Sequence, residues 1–446
     1  LEAVARYFKF AERGTNILTE TRAGLTTFMV MAYIIFLNGN IIAKPLGLDP
    51  IAVAAGTCLV AGIMTIGMGV VANYPFALAA GLGINAIVAF TLPAKGYTAH
   101  AAMGVIVIEG IVITILVVAG LREAIMNAVP LALKRSIGVG IGLFILFIGL
   151  ANGGMIAGSD SAYGSVPPLS LRPITEVSQW VFLVGVLITF VLFAMRIKAA
   201  LIISILVTSV LAYITGITSA PAEWTVTPKW DTLFQPDLVG ALNQVALITA
   251  VLTIFAIMLS DFFDTMGTVT GIAAEAGLAE EDGSVPGIGR ILIVDSLAAV
   301  AGGAVGVSSN TTYIESAAGV AEGGRTGFAS VVTGALFLVA ILLSPLAGLV
   351  PGVATAPALV LVGYLMFTLV KDINVADIED GLPALLTIIL MPLTYDITVG
   401  IGAGFITWTL LKVVKRKWSE IHWLMWVVTI AFVVYFARDW IQVVWH

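Results

Sequence analysis

Gly306-Val307-Ser308-Ser309-Asn310-Thr311-Thr312-Tyr313-Ile314-Glu315 interrupts an apolar region with small and polar residues. A second such stretch, Ala80-Gly81-Leu82-Gly83-Ile84-Asn85, lies in the other half of the chain. Each leads into a helix-length run shorter than the roughly 20 apolar residues that a bilayer crossing needs. In a membrane protein this pattern points to interrupted helices meeting near the midplane. Backbone groups freed from helix bonding can face a small solute there. The pattern is that of a transporter.

Composition agrees. The 446 residues are 59% hydrophobic and 11% charged, with a mean hydropathy of +1.06. Soluble domains carry about 25% charged residues, so a single large soluble core is excluded and the bilayer must act as solvent. The lone cysteine, Cys58, sits in an apolar run and reads as a packing residue. No cleavable signal peptide is expected, because the first apolar run continues to spanning length.

Spans are expected near 21–43, 51–72, 98–119, 133–151, 178–196, 199–217, 244–272, 290–305, 326–350 and 355–371. Half-spans near 76–93 and 306–322 and a short pair at 383–395 and 397–414 bring the count to fourteen. A last apolar helix, 421–440, either spans or lies in the interface. With a cytoplasmic N-terminus, sixteen Lys and Arg residues fall inside and only Lys44, Lys95, Arg172 and Lys229 outside. That bias sets the orientation of an inner- or plasma-membrane protein. Trp224 and Trp230 suit an external interface, and the Lys412–Lys417 cluster suits anionic headgroups on the inner leaflet. Interrupted third and tenth spans divide the fourteen into two repeats of seven. An odd number of crossings per repeat forces opposite orientations, so the expected fold is all-α and polytopic, an inverted 7+7 repeat.

Asn85 and Asn310 are read as comparable positions in the two interrupted elements, as half-helix caps, solute ligands or both. Intramembrane carboxylates carry the next layer, since burying a charge in a bilayer costs about 2.5–3.5 kcal/mol on insertion scales. Glu315 is expected about one turn into the second half-helix, and Asp261 and Asp264 lie in Ser260-Asp261-Phe262-Phe263-Asp264-Thr265-Met266-Gly267-Thr268. A carboxyl that binds both a proton and a solute N–H group is a plausible coupling element. Glu109 and Asp295 read as helix braces and Asp396 as a cap. Phe262, Phe263 and Tyr313 can stack on a planar ligand or simply pack. His100, His422 and His446 lack metal partners at ligand spacing, and no nucleotide-binding loop or nucleophile triad is present. No metal site, enzyme activity or nucleic-acid partner is expected.

Asn310-Thr311-Thr312-Tyr313-Ile314-Glu315-Ser316 resembles the tenth-span motif of the nucleobase–ascorbate transporters, which reads Asn-Thr-Thr-Tyr-Gly-Glu-Asn in the uracil permeases. The closer resemblance is to the AzgA-like purine permeases, through Met31-Ala32-Tyr33-Ile34 with Asn38, Gly81-Leu82-Gly83-Ile84-Asn85-Ala86, Asp261 to Thr268 and Met391-Pro392-Leu393-Thr394-Tyr395. This likeness runs from about residue 10 to 415. It implies a core domain, 10–120 and 240–350, and a gate domain, 121–220 and 351–415, with elevator-like movement between them. It further implies import of adenine, guanine or hypoxanthine, with the proton gradient as energy source in place of any cofactor, and a homodimer formed through the gate.

By the same resemblance Asp264 and Glu315 take the places of the base-binding acids and Asn85 the third-span polar position. Asn310, Thr311, Thr312, Tyr313, Ile314, Thr268, Phe262 and Phe263 complete the site. Glu315, Asp264 and Asp261 are the candidates for carrying the proton. Thr265 and Thr268 stand where the uracil permeases carry histidines, so a histidine relay does not transfer. The rival readings are a sulfate-type anion carrier, a xanthine or uracil permease, a channel and a membrane-embedded enzyme. Two pocket acids argue against the anion carrier.

Overall fold

The computed structural model describes residues 2–121, 128–158, 169–219, 226–280 and 284–445; Trp224 and His446 lie outside them. Helix starts follow capping chemistry. Asn16, Asp49, Thr98, Asp377 and Asp396 each accept backbone N–H bonds at the head of an apolar run. Among the described residues, ten helices are long and apolar enough to cross a membrane.

The first span, expected near 21–43, runs from Ile17 to Leu46 as two helices, α1 (Ile17–Met31) and α2 (Ile34–Leu46), joined through Ala32 and Tyr33, which keep right-handed helical backbone. Next come α3 (Pro50–Gly67), strand β1 (Leu78–Ala80), α4 (Leu82–Ala86), α5 (Ala99–Val118), α6 (Leu131–Asn152), α7 (Val177–Ala194) and α8 (Ala200–Ile214). The second half holds α9 (Leu247–Glu275), α10 (Ile288–Val305), strand β2 (Asn310–Thr312), α11 (Ser316–Ala321), α12 (Gly327–Ala340), α13 (Gly352–Phe367), α14 (Ile378–Thr394), α15 (Ile397–Val414) and α16 (Trp423–Trp445). Cys58 is free and buried within α3.

The interruptions lie where the two small-residue stretches predict them. β1 and β2 pair antiparallel, with Leu78 opposite Thr312, Ala79 opposite Thr311 and Ala80 opposite Asn310. The helical run after β1, Leu82–Ala94, has 13 residues, about 20 Å at 1.5 Å per residue and short of the ~30 Å hydrocarbon core. Backbone that leaves helix bonding inside a membrane must be satisfied by protein. The strand pair does this, extended by Gly81 N–H to Ser309 O at 2.8 Å and Tyr313 N–H to Ala77 O at 2.9 Å.

Helices pack in two groups. One holds α1, α2, α3, α5, α9, α10 and α12 around the strand pair, and the other holds α6, α7, α8, α13, α14 and α15. Glycines let the axes approach, as small residues do in membrane interfaces. A Cβ at Gly142 of α6 would come 2.6 Å from Met366 Cβ, and one at Gly363 of α13 would come 2.5 Å from Gly142 O.

The C-terminal apolar run is helical and antiparallel to α15. Thr429 bonds Thr409 at 2.8 Å, and Phe432 lies against Phe405. A Cβ at Gly402 would meet Phe432 and Phe436 at 2.6 and 2.9 Å. α16 also touches α9, so it contacts both groups. The Lys412–Lys417 cluster, expected to face lipid headgroups, is largely engaged within the protein. Lys412, Lys415 and Lys417 pair with Glu379 at 2.6, 2.8 and 2.6 Å. Glu379 sits at the head of α14 and reaches them only through the fold. Trp230 is 39% exposed, as an interfacial anchor would be.

Candidate functional site

Around the strand crossing, polar side chains stand in an otherwise apolar interior. Asp295 of α10 holds β2 in place. Its Oδ1 accepts from the Thr312 backbone N–H and hydroxyl, both at 2.8 Å, and its Oδ2 accepts from the Thr265 hydroxyl at 2.7 Å. Thr265 in turn meets Thr311 at 2.6 Å. The Tyr313 hydroxyl donates to Ala80 O at 2.5 Å, tying the end of β2 back to β1. The turn into β2 uses left-handed backbone at Gly306 (φ 81°) and Ser308 (φ 73°). At the non-glycine Ser308 this conformation costs about 1–3 kcal/mol.

Asn85 and Asn310 are both fully buried, yet they are not equivalent. Asn85 lies inside α4 and donates to Asn38 Oδ1 at 2.7 Å; Asn38 donates to Thr57 at 2.7 Å and to Val307 O at 3.2 Å. Asn310 lies on β2 opposite Ala80, and its side-chain amide has no hydrogen-bond partner among the described residues. Neither is a helix cap. Gly81 occupies that position in α4, and in α11 the position belongs to Glu315. Glu315 therefore stands at the head of the half-helix and not one turn inside it. There its Oε1 accepts the Tyr33 hydroxyl at 2.6 Å.

Asp264 projects from α9, which touches both half-helices. It is partly open and accepts no hydrogen bond from the described residues. Beyond Asp264 the same face of α9 stays open, since a Cβ at Gly267 or Gly271 would meet nothing within 4 Å. Thr268, Phe262 and Phe263 are buried; the two Phe rings make an edge contact at 5.4 Å, and Lys134 of α6 lies 5.8 Å from the Phe263 ring. Thr311, Thr312 and Tyr313 are buried, whereas Ile314 is 56% exposed.

Just past the Leu82–Ala94 run, Lys95 pairs with Asp396 at 2.9 Å and bonds Thr398 at 3.2 Å, at the lining of a cavity of about 340 Å³ that Thr91, Tyr395 and Tyr435 share. Asp396 also caps α15 through Thr398 N–H at 2.8 Å, as expected of it. Tyr395 packs edge-on against Phe90, Phe144 and Phe147, so a single ring bridges the two helix groups.

Residue type and resemblance singled out the acids. Tyr33, Asn38, Thr265 and Ser309 carry hydrogen bonds that tie the site together; all four lie in the quoted sequence motifs, yet no role was assigned to them.

Two crossed, interrupted helices set among buried carboxyls on a many-spanned frame define an integral membrane transporter. Residues 19–403 match the profile of the permease family named for its xanthine and uracil permeases, and the chain belongs to this nucleobase–ascorbate transporter family. It is a permease and not an enzyme. It is 37% identical over 425 residues to the adenine permease AdeQ of Escherichia coli, covering 94% of this chain and 93% of that one. It is 37% identical over 448 residues to the guanine/hypoxanthine permease PbuG of Bacillus subtilis, covering 96% and 98%. The adenine permease AdeP of Escherichia coli is 39% identical over 416 residues, covering 92% and 90%.

Among solved structures, the transmembrane domain of the cyanobacterial bicarbonate transporter BicA aligns with a TM-score of 0.65 at 14% identity, covering 87% of this chain and 97% of that one. The murine anion transporter Slc26a9 aligns with a TM-score of 0.61 at 12% identity, covering 90% and 69%. At such identities the likeness concerns the fold.

Proposed function

We propose that this permease imports purine nucleobases, with adenine, guanine and hypoxanthine as the substrate range, by proton symport. The observation that carries the reading is a half-buried Asp264 on α9, which packs against the half-helix that Glu315 heads with its carboxyl held by the Tyr33 hydroxyl. A purine is flat and uncharged, with N–H donors and ring-nitrogen acceptors on its edges. Carboxylates accept from its N–H groups, while amides and a helix N-terminus donate to its acceptors. A base of the wrong edge pattern leaves buried groups unpaired at about 1–3 kcal/mol each. The named purine permeases among the relatives support this substrate class.

The half of the chain around the strand pair acts as the moving core and the α6–α8 and α13–α15 group as the gate. Antiparallel pairing of β1 with β2 is the arrangement that two oppositely oriented repeats produce. The Lys and Arg bias puts residues before α1 in the cytoplasm. The open face of α9 then points inward and the Lys95–Asp396 pair outward. Two gate domains pairing face to face complete a homodimer. An anion carrier of the same fold fits poorly, because Asp264 and Glu315 would repel its cargo.

Uptake by proteoliposomes of the purified protein tests this, with labelled adenine and hypoxanthine against labelled uracil, xanthine and sulfate. Saturable uptake of the first two alone is expected. Uptake of sulfate and no nucleobase would overturn it.

A further inference from the structure

Two ion pairs join the helix groups, one on each side of the strand crossing. Lys95, just past the helical run that follows β1, meets Asp396 at the head of α15 at 2.9 Å. Glu322, just past the half-helix α11 that follows β2, meets Lys198 between α7 and α8. Lys95 and Glu322 belong to the group around the strand pair, and Asp396 and Lys198 to the other.

Because β1 and β2 are antiparallel, the helical segments after them leave in opposite directions, so the two pairs lie at opposite ends of the molecule. Their places also match in the expected division into two sets of seven spans. The third and tenth spans supply one partner each. The connections between the sixth and seventh and between the thirteenth and fourteenth spans supply the other. Only the charges are exchanged. At one end the strand-pair group brings the cation, and at the other end it brings the anion.

The settings differ. Lys95 and Asp396 are nearly buried, so their attraction is little screened, whereas Lys198 is 49% exposed. Opening a pair strands no charge. Within its own group Lys95 reaches Thr253 at 3.5 Å, Asp396 keeps the Thr398 N–H at 2.8 Å and Glu322 keeps Arg22 at 3.1 Å. Lys198 turns to water. Sliding of one group past the other therefore opens both pairs together at low cost in desolvated charge.

We propose that Lys95–Asp396 and Lys198–Glu322 are two charge-exchanged latches that hold the groups in one relative position, and that their opening sets the rate at which a loaded core crosses. These are positioning residues and not ligands of the base. The inference rests on the reading of the chain as a nucleobase carrier whose core moves against its gate.

The test uses the full chain in proteoliposomes and reads exchange of labelled adenine and hypoxanthine. Binding by the detergent-solubilised protein is measured alongside. For the bridging arm the buried Cys58 is replaced, Cys58→Ala. Lys95→Cys with Asp396→Cys, and separately Lys198→Cys with Glu322→Cys, are bridged by a bifunctional methanethiosulfonate that makes up the length of the two lost side chains. Bridging at either end is expected to stop exchange, leave base binding in place and be undone by reductant. Without a bridge, Lys95→Met with Asp396→Asn is expected to exchange about tenfold faster than wild type, the scale of coupling between close, desolvated charges. Lys198→Gln with Glu322→Gln is expected to gain only about twofold, as an exposed pair allows.

Continued exchange by fully bridged protein overturns the proposal, as does failure of both cysteine pairs to bridge. Loss of base binding on bridging overturns it too, since the pairs would then support the site and not the movement. A monodisperse Lys95→Met, Asp396→Asn protein that exchanges no faster than wild type is a fourth contrary result; if that variant does not fold, the bridging arm decides. In each case wild type still binds and exchanges base, and the carrier reading stands. Wild type that neither binds nor exchanges any nucleobase removes that reading, and the proposal with it.

Discussion

The Tyr33 hydroxyl lies 2.6 Å from Glu315 Oε1, joining the irregular turn in the first span to the head of the tenth-span half-helix, 282 residues away. A hydrogen bond to a charged group is worth about 1.5–3 kcal/mol, and 1.4 kcal/mol is tenfold in affinity. Tyr33→Phe is therefore expected to weaken purine binding about tenfold or more, with little change in expression. Titration calorimetry measures it, and wild-type affinity would detach Tyr33 from the site.

Asp264→Asn and Glu315→Gln are each expected to abolish purine uptake while leaving a monodisperse protein, because each removes a carboxylate acceptor and keeps the side-chain volume. Radiolabel uptake together with size-exclusion profiles decides this. Wild-type uptake by both variants would falsify the site assignment.

Asn85 and Asn38 are expected to behave as one unit. Asn85→Ala strips the donor from buried Asn38 Oδ1, at a cost of about 1–3 kcal/mol. Either alanine variant should lower the melting temperature, and the double variant should lose less than the sum of the two. Strict additivity would mean that the amides act independently.

The Lys95–Asp396 pair is nearly buried, with side chains 11% and 15% exposed. Removing one partner of such a pair costs about 3–5 kcal/mol, whereas removing both charges is far milder. Lys95→Met is expected to lower thermal stability, and adding Asp396→Asn, which keeps the α15 cap, should recover most of it. An unchanged melting temperature in Lys95→Met would show that the contact adds nothing to stability.

Glycine tolerance should map the surfaces. Gly142→Val drives its side chain into Met366 and Gly363 across the α6–α13 contact, and overpacking of this kind costs at least about 1–3 kcal/mol. Gly267→Ala opens onto free space and should leave stability unchanged. Thermal unfolding in detergent compares them, and equal losses at both positions would contradict the packing described.

Hydropathy and capping residues make most of this fold legible, because a bilayer leaves so few ways to satisfy a backbone. The two interruptions stand out for the same reason, as small and polar residues where apolar ones are expected. The irregular turn at Ala32 and Tyr33 does not, since its neighbours stay apolar and no glycine or proline marks it. The acids are visible because charge is rare inside a membrane. Their partners are not, because Tyr33–Glu315 and Asp261–Ser309 join distant parts of the chain. The supposed equivalence of Asn85 and Asn310 fails on phase. One half-helix begins two residues after its strand, at Leu82, and the other begins four residues after, at Ser316.

The helix α16 has a mechanical consequence. It runs antiparallel to α15, touches α9, and sets its Tyr435 ring 5.6 Å from the Lys95 ammonium. Any displacement of one helix group past the other has to break one of these two sets of contacts, so α16 acts as a brake on sliding between them.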